Sequence, residues 1–251
     1  MHSSLHWREY YERNANSLLD IPWELGAELT DDERRSIASS VQGFQAGESS
    51  EGRHLFRYAK AYAEEAGDQD YLEAIKLFIA EEQRHARDLA HFLKQNDIAV
   101  IETTFPDRVF RRLRHMFGGL EISIAVLITA EIIAKVYYLA LQKATGSVVL
   151  NTLCEQILRD EKKHVEFQAE QLGRLRTGRW RLFQWMTMGL QRFLYWGTCI
   201  VVWFFHKRAI RRGGFKFRRY WSACWAEFNQ AFEMSPTSHP FQRRAILDKL
   251  A

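Results

Sequence analysis

Hydrophobic side chains recur every three or four residues along most of the chain, and this spacing predicts amphipathic helices rather than strands. Residues 1–29 predict a short helix and a strap over the bundle that follows. Thr30 and Glu33 then form a capping box, which predicts the start of a longer helix. Glycines at positions 43, 47 and 52 weaken the middle of this helix and predict a break there.

Three further helices are predicted along the chain. Asp68 or Asp70 can cap the second, Pro106-Asp107 opens the third, and the fourth runs from about Val148 to Leu172. Gly118-Gly119 predicts an interruption or a close approach within the third helix. With only four prolines in the chain and little strand-like alternation, we predict an all-α protein built on an antiparallel four-helix bundle.

Two Glu-x-x-His tetrads carry the candidate chemistry of the chain. Glu82 and His85 form the first tetrad, and Glu161 and His164 form the second. Residues three apart lie on one face of an α-helix, so each tetrad can direct a carboxylate and an imidazole at a common centre. Two such tetrads, with one further glutamate from each of two other helices, build a dinuclear metal site in a four-helix bundle.

An internal repeat supplies the two further glutamates. Glu131 stands thirty residues before the second tetrad, and Glu51 stands thirty-one before the first. Gly67 and Gly146 each lie fifteen residues before a tetrad, where a glycine in the left-handed conformation would end a helix. The next helix would then return antiparallel and bring each lone glutamate level with its tetrad.

The surroundings of Glu131 make it the strongest ligand candidate. It follows an apolar run, from Ile122 to Ile128, and precedes Ile132 and Ile133. An ionised carboxylate in such a setting is costly unless it is paired or bound to a cation. Four ionised glutamates and two neutral histidines carry a charge of −4, which matches two divalent ions, and this donor set suits iron or manganese. The predicted cofactor is two Fe ions or an Mn/Fe pair.

With these residues in view, the chain resembles the ferritin-like superfamily of di-iron carboxylate proteins over roughly residues 30 to 172. Its first half is similar to that of rubrerythrins in three phrases: Gly47-Glu48-Ser49-Ser50, Tyr58-Ala59-Lys60-Ala61 and Glu81-Glu82-Gln83-Arg84-His85-Ala86. The resemblance implies the fold, two metals and chemistry on O2 or peroxide, but no substrate.

The resemblance and the internal repeat disagree about the first ligand. Alignment on the Tyr-Ala-Lys phrase places the ligand at Glu48, whereas the repeat places it at Glu51. We prefer Glu51, because Tyr58 follows it by seven residues just as Tyr138 follows Glu131.

Other residues near the ligands have predicted roles. A carboxylate beside each ligating imidazole would orient it, and Asp88 and Asp160 are the candidates; the alternative is that both are solvated helix residues. Tyr58 and Tyr138 are catalytic candidates, as hydrogen-bond donors or radical carriers, with a core role as the alternative. His54 is either an extra ligand or a residue of the helix surface.

The composition of the chain changes near residue 175. Residues 174–220 contain twelve Lys or Arg and no Asp or Glu, and six of the eight Trp fall between residues 180 and 225. We therefore divide the chain into an N-terminal strap with the di-metal bundle, residues 1–175, and a basic aromatic helical extension, residues 176–251.

The extension has three competing interpretations. The run from Phe193 to Phe205 is uncharged, but its thirteen residues are too few to span a membrane and Arg192 precedes them. Aromatic rings beside Lys and Arg suit a helix lying on an anionic membrane surface. The alternatives are packing against the bundle or a second subunit, as in a homodimer, and nucleic-acid binding, which no recognised module supports.

The three cysteines, Cys154, Cys199 and Cys224, form no C-x-x-C pair, so neither a disulfide framework nor a rubredoxin-type or zinc-ribbon site is predicted. No apolar segment of signal-peptide length occurs in the first residues. We therefore expect a cytoplasmic protein, with peripheral membrane contact as an extension of that expectation.

The favoured functional hypothesis is a non-haem di-iron or Mn/Fe oxidoreductase that activates O2 and oxidises a small, apolar organic substrate with electrons from an unidentified donor. Quinone hydroxylases of the ferritin-like superfamily share this ligand order and sit at membranes. One alternative is peroxide reduction or ferroxidase activity, as in rubrerythrins and ferritins. Another is a helical scaffold whose metal site is only structural.

Overall fold

The computed structural model of the chain describes residues 1–49, 52–103 and 118–233, which are mainly helical and contain no strand. The all-α prediction is confirmed. The helices are α1 (Ser4–Asn14), α2 (Asp31–Glu48), α3 (Arg53–Ala66), α4 (Gln69–Gln95), α5 (Leu120–Ala144), α6 (Val148–Arg176), α7 (Arg181–Arg212) and α8 (Phe217–Glu233). A short 3-10 turn covers Trp23–Leu25 in the strap after α1.

The first long helix of the bundle is divided in two, as the glycines predicted. It begins at the Thr30–Glu33 capping box, stops at Glu48 and resumes as α3. Gly52 caps α3 with a φ of 63°, and a Cβ atom there would lie 2.8 Å from the side chain of Ile79. Only glycine meets both conditions without strain.

The two tight turns of the bundle have different chemistry. Gly67 ends α3 in the left-handed conformation, as predicted, and the Asp68 side chain caps α4. The same expectation for Gly146 is wrong: α5 ends at Ala144, Thr145 follows in an extended conformation, and Gly146 is not left-handed. Instead the backbone N–H of Gly146 donates to Glu33 Oε1 at 2.6 Å, so a carboxylate from α2 holds this turn.

Helix α5 forms the centre of the fold. It is the one described helix that is long and apolar enough to cross a membrane, with a mean hydropathy of 1.9, but 78% of that stretch is buried among the other helices. Its composition therefore reflects a core position. It starts directly after Gly118-Gly119, while the predicted start at Pro106-Asp107 lies outside the described residues.

The described part of the basic, aromatic segment, residues 176–233, packs against the bundle. Helix α6 ends at Arg176 and α7 begins at Arg181, so the change in composition coincides with a helix boundary. The inner sides of α7 and α8 contribute Tyr195, Trp203 and Phe228 to the same hydrophobic core as the bundle helices.

The buried side chain of His206 connects α7 to α2 and α5 through hydrogen bonds and ring contacts. His206 Nδ1 lies 2.9 Å from Ser40 Oγ, which in turn donates to Tyr137 Oη at 3.0 Å. The ring also packs against Phe44. Burial lowers the pKa of His206 from 6.5 to about 4, because a charged imidazole would lose its hydration in this interface.

We predict that this histidine makes the protein lose stability in mild acid. The unfolded chain takes up a proton at His206 near pH 6.5, whereas the folded chain does so only near pH 4, so stability falls as the pH decreases through this window. The full effect is about 3 kcal/mol at 1.36 kcal/mol per pKa unit. Urea unfolding at several pH values should show a shallower acid dependence for His206→Gln than for the wild type. Parallel pH profiles of the two proteins would contradict the prediction.

Candidate metal centre

Four helices direct acidic and histidine side chains at one point inside the bundle. The residues are Glu48 at the end of α2, Glu82 and His85 on α4, Glu131 on α5, and Glu161 and His164 on α6. They form two overlapping groups, in each of which one ligand atom from every residue lies within 4.8 Å of the others. The first group is Glu48, Glu82, His85 and Glu161, and the second is Glu82, Glu131, Glu161 and His164. Glu82 and Glu161 are common to both.

The two imidazole rings have the same orientation relative to the cluster. His164 Nε2 lies 2.9 Å from Glu81 Oε2, while its Nδ1 faces inward, 3.0 Å from Glu82 Oε1 and 3.5 Å from Glu131 Oε2. A carboxylate accepts a proton rather than donating it, so Nε2 carries a hydrogen. Burial alone would lower the pKa of His164, but the surrounding carboxylates raise it well above its ordinary value, so a metal ion at the centre would displace a proton from Nδ1.

His85 repeats this arrangement on the other side. Its Nε2 lies 3.0 Å from Asp160 Oδ2, and its Nδ1 is 3.7 Å from Glu82 Oε1 and 3.9 Å from Glu161 Oε1. A carboxylate on the outer nitrogen fixes the tautomer and raises the basicity of the inner nitrogen, as it does for histidines that bind metals.

Glu81 and Asp160, the carboxylates at the outer nitrogens of the two imidazoles, each contact the histidine of the other tetrad. Glu81 precedes the glutamate of the first tetrad and holds the histidine of the second, while Asp160 precedes the glutamate of the second and holds the histidine of the first. Asn14, from helix α1, joins them by donating from Nδ2 to Glu81 Oε1 at 2.6 Å and to Asp160 Oδ1 at 2.8 Å. Each histidine is therefore positioned by the opposite helix.

Asp160 has more hydrogen-bond partners than any other described acidic group of the site. It accepts hydrogen bonds from Arg84 at 2.7 Å and from Gln156 at 3.0 Å, in addition to those from Asn14 and His85. Burial alone would raise its pKa, but the hydrogen bonds from His85, Gln156 and Asn14 hold the pKa well below its ordinary value. It therefore remains an ionised acceptor for the imidazole.

The inner carboxylates, Glu48, Glu82, Glu131 and Glu161, are close enough to repel one another when ionised. Burial, together with the facing charges of Glu131 and Glu82, raises the pKa of both Glu161 and Glu48 well above the ordinary value. Burial alone would also raise the pKa of Glu131, but its interactions with Glu161 and His164 and the hydrogen bond from Gln168 lower that pKa. Converging buried carboxylates of this kind favour a bound cation, which removes their repulsion.

Several polar atoms at the centre have no hydrogen-bond partner and are suitable ligands for metal ions. Among the residues that the structure describes, four buried atoms of the cluster make no hydrogen bond: Glu82 Oε1, His85 Nδ1, Glu161 Oε2 and His164 Nδ1. Such atoms are costly when left unpaired, and these four all face the common centre. Carboxylate oxygens and neutral imidazole nitrogens are ligands that Fe and Mn accept.

The structure brings Glu48 to the cluster. Tyr138 donates from its hydroxyl to Glu48 Oε1 at 2.8 Å, and both side chains lie against the ligand groups. Glu51, which the sequence repeat favours, lies outside the described residues.

Three other residues with predicted roles, Tyr58, His54 and Asp88, do not belong to the ligand groups. Tyr58 lies away from the inner carboxylates, with its hydroxyl accepting from Arg57 at 3.2 Å and close to Gly118. His54 is on the exposed side of α3. Asp88 is not the acceptor for a ligand histidine, because Asp160 occupies that place for His85.

Sequence reasoning missed Glu81 and Asn14. A signal for Glu81 does exist, since the doublet Glu81-Glu82 corresponds to Asp160-Glu161 in the internal repeat. Asn14 offers no such signal because it is 67 residues from Glu81 and belongs to a helix outside the repeat.

A narrow apolar crevice lies beside the cluster. Phe78 lines it and also contacts the His164 ring edge-on, with 4.7 Å between ring centroids, and Gln168 lines it while donating to Glu131. Its volume is about 10 Å³, which is room for about one water molecule. The other lining residues are Leu55, Tyr71, Ile75, Ile124, Leu127, Phe167 and Gln171.

The fold is a ferritin-like helical bundle that encloses a carboxylate–histidine cluster, so the predicted fold is confirmed. Three solved structures of R2-like ligand-binding oxidase variants, two with an aerobically and one with an anaerobically reconstituted Mn/Fe cofactor, superpose on the chain with TM-scores of 0.64, 0.66 and 0.65. They are 17% or 18% identical to it, and each match covers 93% of both chains. No protein-family model matches the chain, and no curated protein matches it significantly in sequence.

Proposed function

We propose that the protein is a di-metal oxidase, with an Fe/Fe or Mn/Fe pair, that uses O2 to oxidise a small apolar organic substrate. The observation that carries the proposal is the pair of overlapping ligand groups that share Glu82 and Glu161. The likeness in fold to R2-like ligand-binding oxidases that hold Mn/Fe supports it. Each group offers three carboxylates and one imidazole, a hard donor set suited to Fe and Mn.

The charge of the proposed site agrees with two divalent ions. Four ionised glutamates carry −4, and the two histidines are neutral when Nε2 alone is protonated. Two adjacent redox metals can supply more than one electron to O2, which is the chemistry that the bound pair contributes. Loading should release protons, because the pKa values of Glu48 and Glu161 are raised and metal binding requires the ionised form.

The protein's own residues bind, orient and protect the centre. Glu81 and Asp160 keep the two imidazoles in the tautomer that directs Nδ1 inward. Tyr138 donates a hydrogen bond to Glu48 Oε1 and so fixes the orientation of that carboxylate. Ile128, about one turn before Glu131, and Ile132, directly after it, are fully buried in α5 and help to exclude water.

The crevice beside His164 supports an apolar substrate. Most of its lining is aliphatic or aromatic, and its polar atoms at Gln168 Oε1, Gln171 and the Tyr71 hydroxyl have no hydrogen-bond partner among the described residues. One polar group on an otherwise apolar molecule could meet these atoms. At its present width the crevice admits a molecule the size of O2, so a larger substrate requires side chains to move.

Metal content and O2 consumption test this proposal. Protein purified from cells supplemented with iron and manganese should hold two metal ions per chain. After reduction, exposure to O2 should consume the gas and change the absorption spectrum. Full loading without O2 consumption would leave only a structural metal site and refute the oxidase. Oxidation of added Fe(II) with release of ferric product, but of no organic compound, would favour ferroxidase activity instead.

A further inference from the structure

One side of α7 is an exposed apolar surface that the bundle does not cover. The residues of this outer face are Leu182, Met186, Leu190, Phe193, Ile200 and Phe204. They recur at three-, four- and seven-residue intervals, the spacing of a single helix face, and are 42% to 74% exposed. The stripe extends over about 33 Å at 1.5 Å per residue. Trp180, Trp185 and Trp196 lie beside it and are also exposed.

The opposite side of α7 fixes the direction of this outer face. Gln191 Nε2 donates to Ala125 O at 2.7 Å and to Thr129 Oγ1 at 2.8 Å, both on α5. Tyr195 and Cys199 are buried on the same inner side. Because α7 is held against the core along its length, lipid cannot surround it as it would surround a spanning helix. Only the outer face of α7 is therefore available for contact with another surface.

The charges around the outer face have one sign. From residue 171 to residue 226 the sequence contains twelve Lys or Arg and no Asp or Glu. Lys207, Arg208 and Arg211 follow directly after Phe204 and are exposed, and no ion pair to an acidic group occurs for them among the described residues. Arg192, also exposed, flanks the middle of the stripe.

We propose that the outer face of α7 docks on an anionic lipid bilayer, with the helix in the plane of the headgroups. The apolar stripe would enter the interfacial region, Trp side chains would lie at the headgroup level, and Lys and Arg would contact lipid phosphates. A second copy of the chain is a poorer occupant. A twofold interface places like surfaces opposite each other, so it would oppose basic groups with basic groups.

Docking on this face would bring the bilayer within one helix layer of the crevice. Gln191 contacts α5 at Ala125 and Thr129, and the neighbouring Ile124 and Leu127 line the crevice. The proposal does not depend on the metal centre, since no residue of the outer face belongs to a ligand group.

Vesicle co-sedimentation of the full-length, metal-loaded protein tests the proposal. Vesicles with about one third anionic lipid should bind it at least ~10-fold more tightly than neutral vesicles, and about 0.5 M NaCl should weaken binding. A triple variant, Leu190→Gln, Phe193→Gln and Phe204→Gln, should reduce the affinity at least ~10-fold. A second variant, Lys207→Gln, Arg208→Gln and Arg211→Gln, should remove the preference for anionic lipid.

A matched control uses exposed apolar residues elsewhere, namely Leu5→Gln, Leu25→Gln and Val148→Gln, which should leave the affinity within about twofold. Brominated lipid should quench the tryptophan fluorescence of the wild type, a readout that needs no variant. Absence of both binding and quenching would overturn the proposal. So would a dimer that the outer-face triple variant dissociates, or tight binding to duplex DNA without binding to vesicles.

Discussion

Replacing Glu82 or Glu161 with Ala should abolish binding of both metal ions, because each carboxylate belongs to both ligand groups. We expect O2-dependent oxidation to fall at least ~1000-fold, since it requires the metal pair. Metal analysis of protein refolded or expressed with excess iron and manganese measures the first effect, and an oxygen electrode measures the second.

The remaining ligands provide the internal comparison. Glu48→Ala removes a residue of the first group only, and Glu131→Ala removes one of the second group only, so each variant should retain about one metal ion per chain. Glu51→Ala should retain two. If Glu51→Ala loses an ion and Glu48→Ala does not, the first ligand is the one favoured by the sequence repeat. Retention of two ions by Glu82→Ala would refute the shared arrangement.

Stability of the metal-free protein distinguishes lost ligands from failed folding. Glu161→Gln should raise the melting temperature of the metal-free protein, because it removes a buried carboxylate whose pKa is raised by burial and by Glu131. The same change should remove the stabilisation by metal, which is about 4 kcal/mol when the free metal exceeds the dissociation constant 1,000-fold. A variant that is less stable in both states would indicate a packing defect.

Much of the cluster could be predicted because its geometry is local. Glu82 with His85 and Glu161 with His164 are fixed by the three-residue spacing on single helices. Glu131 stood out because its neighbours are apolar, and the structure buries it in α5. These inferences need only a regular helix.

Counting along the repeat does not decide which glutamate is the first ligand. The count from Glu51 to Glu82 assumes two regular antiparallel helices joined at Gly67, each rising 1.5 Å per residue. Helix α2 ends at Glu48 and α3 begins at Arg53, so no single described helix runs from this region to Gly67. Glu48 is 34 residues before Glu82, four more than separate Glu131 from Glu161, yet it reaches the same cluster. The glycines predicted the break, and the choice between Glu48 and Glu51 stays a prediction that the variants above test.

Contacts between distant segments were also beyond the sequence. The strap was expected to cover the bundle, but the role of Asn14 depends on where α1 meets α4 and α6. The basic, aromatic character of α7 was visible, whereas the division into an inner side that includes Tyr195 and an exposed side that includes Phe193 depends on packing against α5.

The outer carboxylates should control metal affinity without binding metal themselves. Glu81→Gln and Asp160→Asn each keep a side chain that can accept from Nε2 but remove its charge, and each should weaken metal binding about 10- to 100-fold. Chelator competition measures the affinity, and the electron paramagnetic resonance spectrum of the loaded protein should change because the imidazole is less basic. Asn14→Ala should have a smaller effect, since both carboxylates keep their histidines.

Glu81→Gln is the cleaner of these variants. Asp160 also accepts from Arg84, so Asp160→Asn weakens an ion pair as well as the contact with His85. Glu81 has only Asn14 and His164 as hydrogen-bond partners among the described residues. Asp88→Asn is the matched control, because Asp88 lies one turn from His85 on the same helix but does not bond to either ligand histidine. Equal losses of affinity in Glu81→Gln and Asp88→Asn would show that general charge, rather than orientation of His164, determines binding. If only Glu81→Gln loses affinity, and the stability of the metal-free protein is unchanged, the loss is due to the contact between Glu81 on α4 and His164 on α6.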